Sequence, residues 1–132
     1  MVFDTNVLVS AFITRGASHE VFEHCLFSHE VFFSDHIAKE VETVLRDKFS
    51  FPVREINEIL DYMNKHLVSI EAGSLHGPVC RDPVDDLILA CAQSAEADCL
   101  ITGDEDLLVL KEFAGTTIIR PGDFWKFEKR RL

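Results

Sequence analysis

The hydrophobic positions of this chain form short apolar runs that alternate with longer amphipathic segments. Short runs rich in β-branched and aromatic residues are typical of buried strands, whereas apolar residues three or four positions apart predict helices. The runs predict strands at residues 2–3, 31–33, 67–70, 99–102 and 117–119. Strands that alternate with helices indicate a parallel sheet covered on both faces, so we expect an α/β fold.

The predicted helices begin at residues that favour a helix start. Ser34 and Asp35 are capping residues, and Pro52, Pro83 and Pro121 suit the first helical turn. The helices are expected at 6–13, 18–28, 36–49, from 52 onward, at 83–95 and 105–113, and from 121 to the basic tail. Residues 72–80 form a loop. Segment 83–95 is apolar nearly all round, which predicts a central and buried helix.

Composition limits the class of protein. The 132 residues fit a single domain spanning 1–132, and the formal net charge of −10 comes from 13 basic and 23 acidic side chains. A module that holds nucleic acid through charge alone should be basic, although bound cations would change the local balance. No apolar run is long enough to span a membrane and no signal segment is recognisable, so we expect a cytoplasmic protein without membrane contact.

Cysteine and histidine spacing does not indicate a zinc site. The four cysteines lack C-x-x-C spacing and lie in apolar segments, which is typical of small buried hydrophobes rather than disulfides or metal ligands. His24 and His29 are five positions apart and do not share a helix face. We therefore interpret the six histidines as surface or helix-end groups.

Four acidic residues recur where predicted strands give way to helices. Asp4 ends the first strand, Asp104 follows strand 99–102, and Asp85 lies in the first turn of helix 83–95. Glu40 lies about 7.5 Å along its helix from the same edge. Ligands of α/β sheets bind at the carboxyl ends of the strands, so all four side chains can reach one rim. Carboxylates without histidine or cysteine favour Mg²⁺ or Mn²⁺ over zinc.

Each acid also has a simpler explanation when taken alone. Asp4 and Asp104 could cap helices, and Asp85 could complement the dipole of a helix that Asp82 caps. Glu40 could be an exposed flank. Their coincidence is harder to explain this way, because two carboxylates 4 Å apart repel by about 4 kcal/mol at an effective dielectric constant of 20. A cleft that gathers four of them requires raised pKa values or a cation.

The same residues, in this order, resemble the PIN domain family. The matching motifs are Phe3-Asp4-Thr5-Asn6-Val7-Leu8, Glu40 within its helix, Asp82-Pro83-Val84-Asp85-Asp86-Leu87-Ile88 and Thr102-Gly103-Asp104-Glu105-Asp106-Leu107. The resemblance covers essentially the whole chain, and it is closest to the toxin components of bacterial and archaeal toxin–antitoxin systems. One departure is that only three residues precede Asp4, fewer than the family's first strand usually has.

The resemblance implies a three-layer α/β/α fold with a central, mostly parallel sheet, and a ribonuclease specific for single-stranded RNA that uses Mg²⁺ or Mn²⁺. It assigns Asp4, Glu40 and Asp85 as core metal ligands, with Asp104 as the fourth acid. The supporting residues that it implies are Asn6 and Thr102, which would orient ligands or water, and Asp82 and Asp106 around the ligands. Asp86 is the alternative to Asp85 if the motif is shifted by one residue, although the helical phase against Leu87-Ile88 favours Asp85. An antitoxin protein and a second copy of the chain are the implied partners.

Substrate contacts and alternative functions complete the expectations. Arg15, Arg81 or the basic tail (Lys126, Lys129, Arg130 and Arg131) could steer an RNA backbone, although ordinary solvated charge is the simpler explanation for each. A catalytically silent PIN fold that serves as a protein-interaction module is the alternative function. A phosphohydrolase of the aspartyl-phosphate type needs a second Asp two residues after the nucleophile, and Asn6 stands there instead.

Overall fold

A six-stranded sheet forms the centre of the computed structural model, which describes residues 1–131; Leu132, the last residue of the predicted domain, lies outside them. The strands are β1 (Val2–Phe3), β2 (Phe32–Phe33), β3 (Val68–Ser69), β4 (Cys99–Ile101), β5 (Glu112–Phe113) and β6 (Thr116–Ile119). Their spatial order is β3-β2-β1-β4-β6-β5, and β5 alone among them pairs antiparallel. The predicted α/β class with a mostly parallel sheet is confirmed.

Helices connect the strands and cover the sheet. They are α1 (Thr5–Ile13), α2 (Ala17–Ser28), α3 (Asp35–Asp47), α4 (Val53–His66), α5 (Pro83–Ser94), α6 (Glu105–Leu108) and α7 (Phe124–Arg131), with a 3₁₀ turn at Pro121–Asp123. Right-handed crossovers place helices on opposite faces when the chain reverses its direction across the sheet, which gives the three-layer α/β/α architecture. None of the helices in residues 1–131 combines the length and apolarity that crossing a bilayer requires.

The chain reverses direction between β1 and β4. It proceeds outward from β1 to β2 and β3 on one side, and from β4 to β6 on the other. The segments that follow β1 and β4 therefore diverge, and they leave a crevice at the carboxyl edge of the sheet where such folds bind ligands. The backbone N–H of Asp4 donates to the carbonyl of Ile101 at 2.9 Å, so the two strand ends are held together at this crevice.

Strand β1 is short but lies inside the sheet. Val2 and Phe3 are fully buried, and the Phe3 ring meets Phe22 edge-on at 5.5 Å between centroids. Ladder hydrogen bonds continue beyond the strand's two residues, because the Met1 carbonyl accepts from Phe32 N–H at 2.9 Å. The apolar contacts and hydrogen bonds of its neighbours hold β1 in place despite its length.

The predicted helix 105–113 is wrong in its second half. Helix α6 ends at Leu108, and Glu112–Phe113 forms β5, which pairs with β6 through a tight turn. Lys111 adopts φ 61°, and Ala114 and Gly115 in the turn have φ 51° and 83°. A right-handed helix cannot continue through these left-handed conformations. The prediction failed because short apolar segments do not distinguish a helix from a strand.

Helix α5 is buried on one side only. Residues 88–92 are buried, whereas Leu87 is 46% exposed and Val84 is 42% exposed. The expectation that this helix is buried all round is therefore wrong for its outer face. A helix that covers one face of a sheet needs only one apolar stripe, and apolar residues elsewhere on it can lie in water.

Candidate active site

Thr102 connects two acidic residues, Asp4 and Asp104, at the crevice between β1 and β4. Its side chain is fully buried directly after β4, and its Oγ1 donates to Asp4 Oδ2 at 2.7 Å. The same Oγ1 accepts from the backbone N–H of Asp104 at 3.0 Å. The hydroxyl thus fixes the rotamer of one acid and the backbone position of the other.

Asp4 and Glu40 are joined through Thr5. Asp4 is the N-cap of α1, and its Oδ1 accepts from Thr5 N–H at 2.7 Å. The Thr5 hydroxyl, which is buried, donates to Glu40 Oε1 at 2.8 Å and brings α3 to the rim. Glu42 is turned about 200° from Glu40 on the same helix, and its Oε1 lies 3.9 Å from Arg46 Nη1.

Asp85, Asp104 and Asp106 form a carboxylate cluster. Each offers one oxygen, and these oxygens lie within 4.8 Å of one another. Asp104 is the N-cap of α6 and accepts from Asp106 N–H at 2.9 Å, which fixes the spacing of these two acids. Asp106 also pairs with the Arg81 guanidinium at 2.8 Å. This guanidinium is one of the cations that were considered for steering a substrate.

The electrostatics of the site disfavour its own negative charge. Partial burial raises the pKa of Asp85 to about 6, and the charges of Asp104 and Asp82 act in the same direction. Burial also raises the pKa of Asp4, against the hydrogen bonds from Thr102 and Thr5 that favour its charged form. Carboxylates whose pKa values are raised by burial and by one another are stabilised by a bound cation.

The sequence of this site matches a known family model. The model for the PIN domain aligns with residues 1–106. The chain belongs to the PIN domain family. Proteins with this domain are generally nucleases. No curated protein sequence matches the chain significantly.

Solved structures support the PIN fold. One of them is the crystal structure of VapBC2 from Rickettsia felis bound to a DNA fragment from its promoter. One chain of that structure superposes on this protein with a TM-score of 0.63 at 16% sequence identity. The match covers 89% of this chain and 97% of that chain. At this identity the likeness concerns the fold, which agrees with the three layers described above.

Two acids near the rim of the PIN domain, Asp82 and Asp86, bind nearby backbone N–H groups instead of joining the carboxylate cluster. Asp82 caps α5 by accepting from Val84 N–H at 2.9 Å. Asp86 accepts from the backbone N–H of Cys80 at 2.8 Å and of Val79 at 3.2 Å, and these bonds lower its pKa. The side chain of Asp86 therefore fixes the loop before α5, while Asp85 joins the carboxylate cluster.

A cleft of about 400 Å³ opens beside Asp4 and Asp104. Asn6 and Ser10 line it from α1, and Ser18 lines it from α2. These polar groups can contact a ligand that approaches the carboxylates. Asn6 was predicted from its motif, whereas the two serines carried no signal in the sequence because neither belongs to a motif.

Arg131, at the end of the basic tail, lies away from the rim of the PIN domain. Arg131 pairs with Asp98 at 2.9 Å, and Asp98 directly precedes β4 at the amino edge of the sheet. Helix α7 runs from the carboxyl edge towards this opposite edge, so the tail points away from the carboxylates. The hypothesis that the tail steers a substrate to them is therefore wrong for Arg131, because a long-range ion pair invisible in the sequence holds it elsewhere.

Two residues beside Glu40 were missed by sequence reasoning. Thr5 was noted only as part of a motif, although its hydroxyl is the contact between α1 and Glu40. His36 Nε2 lies 3.0 Å from Glu40 Oε1 but has no hydrogen-bond partner among the described residues. The spacing of four positions on one helix could have identified this pair.

Proposed function

We propose that this PIN domain is a metal-dependent endoribonuclease that hydrolyses phosphodiester bonds of single-stranded RNA. The observation that carries the proposal is the convergence of carboxylates from four separate segments at the β1–β4 crevice. Thr102 and Thr5 hold two of them in fixed positions, and the pKa of Asp85 is raised to about 6. Such an arrangement is costly in a metal-free protein, and it suits a site whose purpose is to hold a cation.

The donor set fits Mg²⁺ or Mn²⁺. Asp4, Glu40, Asp85 and Asp104 supply only carboxylate oxygens, which hard divalent cations prefer. When bound, the cation supplies an activated water nucleophile and stabilises negative charge on the attacked phosphate. Thr102 and Thr5 keep Asp4 and Glu40 oriented, because each donates a hydrogen bond to one carboxylate. Hydrolysis by in-line attack leaves a 5′-phosphate and a 3′-hydroxyl.

We further propose that the chain acts as the toxin of a toxin–antitoxin pair and works in the cytoplasm. Two findings support this role: the PIN family match and the likeness of the fold to a chain of VapBC2. An antitoxin protein is then the partner, and a homodimer is expected by analogy with the family. The strongly acidic composition favours regulation by a protein over tight binding to nucleic acid.

The neighbouring glutamates of α3 give a matched test. Glu40→Gln should reduce Mn²⁺-dependent cleavage of a labelled single-stranded RNA by about a hundredfold or more, because a metal ligand loses its charge. Glu42→Gln changes the same side-chain type two positions away and should retain full activity. The same pair should differ in growth arrest when expressed in cells. Equal cleavage by the two variants would refute the role of Glu40 as a ligand.

Thr102→Val tests the positioning of Asp4 without changing side-chain size. The variant keeps all four carboxylates but loses the hydroxyl that donates to Asp4, so we expect cleavage to fall about 10- to 100-fold. Thr116→Val is the control, since Thr116 is equally buried and donates to the Ala97 carbonyl outside the site. Steady-state cleavage at several Mn²⁺ concentrations is the measurement. A loss of activity as large in Thr116→Val would mean that buried threonines matter only for folding.

A further inference from the structure

Two histidines and a glutamate meet at the amino edge of the sheet, away from the carboxylate rim. His24 lies on α2, His29 directly follows α2, and Glu128 lies on α7. His24 Nε2 is 3.2 Å from Glu128 Oε1, and His29 Nε2 is 2.9 Å from both carboxylate oxygens. The three side chains are 31%, 21% and 19% exposed, so the cluster is half-buried yet accessible from solvent.

The cluster contradicts the expectation from histidine spacing. Residues five apart on a continuous helix point about 140° away from each other. Helix α2 ends at Ser28, however, and His29 is extended, with φ −142° and ψ 174°. The chain leaves the helical path at this residue, and the His29 ring returns to within 5.8 Å of the His24 ring. His29 is a helix-end group, as one of the two predicted alternatives had it, whereas His24 lies within α2, and the two rings are in contact with each other.

The distances match those between ligands of one metal ion. Ligand atoms about 2.0–2.1 Å from a tetrahedral zinc ion lie roughly 3.3 Å apart. The nitrogen–oxygen distances of 2.9 and 3.2 Å are close to this value, and ligand atoms of all three residues lie within 4.8 Å of one another. Two imidazoles and one carboxylate form a known zinc ligand set that leaves one position for water.

The surroundings favour a charged Glu128 and leave access on one side. Burial raises the pKa of Glu128, but the hydrogen bonds and charges of His29 and His24 outweigh it and lower the pKa overall. The Phe124 and Trp125 rings pack edge-on against His24. A cleft of about 280 Å³ opens on the other side and is lined by His29 and Asp98.

We propose that His24, His29 and Glu128 bind a divalent transition-metal ion, and that Zn²⁺ is the preferred ion. Imidazole nitrogen favours such borderline ions, whereas Mg²⁺ requires oxygen ligands. The ion would take the place of the imidazole protons that face Glu128, and each neutral imidazole would bind it through Nε2 with its single proton moved to Nδ1, so that no proton is released. Its effect is to tie α7 to the end of α2. This site is independent of the proposed nuclease centre, because it shares no residue with it.

The single tryptophan of the chain reports on this site. The Trp125 ring lies 5.0 Å from the His24 ring, so a paramagnetic ion bound there should quench its fluorescence. Untagged protein in excess Mg²⁺, which occupies the carboxylate rim, should show saturable quenching by micromolar Ni²⁺ at one ion per chain. Micromolar Zn²⁺ should compete with Ni²⁺ and raise Tm by roughly 5 °C, whereas further Mg²⁺ should do neither.

Matched histidine variants assign the ligands. His24→Gln and His29→Gln should each weaken Ni²⁺ and Zn²⁺ affinity by about tenfold or more, and His76→Gln, at an exposed loop position, should leave it unchanged. Circular dichroism establishes that each variant is folded. If wild-type protein shows no saturable Zn²⁺ effect, or if His24→Gln binds like wild type, the cluster is a hydrogen-bonded contact between helices and the proposal is overturned. Loss of RNA cleavage in Asp85→Asn does not bear on this result.

Discussion

Replacing Asp85 by asparagine is expected to abolish RNA cleavage and, at the same time, to make the metal-free protein more stable. Loss of one charged ligand should remove about 4 kcal/mol of transition-state stabilisation, or roughly a thousandfold in rate. Without metal, the same carboxylate is repelled by its neighbours, which is why its pKa is raised to about 6. Its removal should increase the free energy of unfolding at pH 7 by about 1 kcal/mol after allowance for solvent screening.

The pH dependence of this gain has a defined sign. A raised pKa means that Asp85 binds a proton more readily in the folded protein than in the unfolded chain. The charged carboxylate therefore destabilises the folded protein fully above about pH 6. It is relieved as the pH falls from 6 towards the ordinary value near 3.8. Urea denaturation of wild type and Asp85→Asn in a chelator should therefore differ most at neutral pH and converge near pH 4.

Bound metal should reverse the order of stability, so that the wild type gains more than Asp85→Asn. Mn²⁺ should raise the Tm of the wild type, because it binds the folded state, and it should raise the Tm of Asp85→Asn far less. Asp61→Asn changes an exposed acid on α4 and should behave like wild type in both measurements. If Asp85→Asn retains Mn²⁺-dependent cleavage, this aspartate is not a metal ligand, whatever its effect on stability.

Phe3→Ala is expected to have the largest effect on stability. Phe3 is fully buried in the inner strand β1, where its ring packs against Phe22. Truncating a buried phenylalanine costs about 3–5 kcal/mol through lost burial and a residual cavity. This loss is a large part of the total stability of a domain of this size, so partial unfolding at 37 °C is expected.

Phe27 supplies the matched control for this substitution. Its side chain is 90% exposed on α2, and Phe27→Ala should change the free energy of unfolding by less than about 0.5 kcal/mol. Urea titrations with an unchanged m-value would attribute the difference to stability alone. A small effect of Phe3→Ala would mean that β1 contributes little to the core, and that Asp4 is positioned mainly by its hydrogen bonds.

Most elements and the four acids were predictable because local rules determine them. Ser34 at the start of α3 and Asp82 at the start of α5 act as the caps that their residue types predict. Asp4 and Asp104 follow strands whose apolar runs are easy to recognise, and parallel strands bring their carboxyl ends to one edge. Such features depend on a few neighbouring residues, so the sequence contains them directly.

The errors arose where the backbone departs from a regular path or where distant segments meet. Lys111 adopts a left-handed conformation that ends the predicted helix, although nothing in its residue type requires it. His29 leaves the helix just before it meets Glu128, 99 residues later in the chain. The pairing of Arg131 with Asp98 is equally non-local. Periodicity reports on local geometry, so it contains no information about these contacts.

The wide separation of the four acids along the chain has a consequence for protein synthesis. Residue 4 cannot meet residue 104 until β1 has paired with β4, which requires the chain to have left the ribosome as far as residue 104. A nascent chain that holds only the first two acids has no complete cation site and should be inert towards the message being translated. On the proposed function, cleavage would therefore begin only after the segment that carries β4 and Asp104 has emerged and packed beside β1.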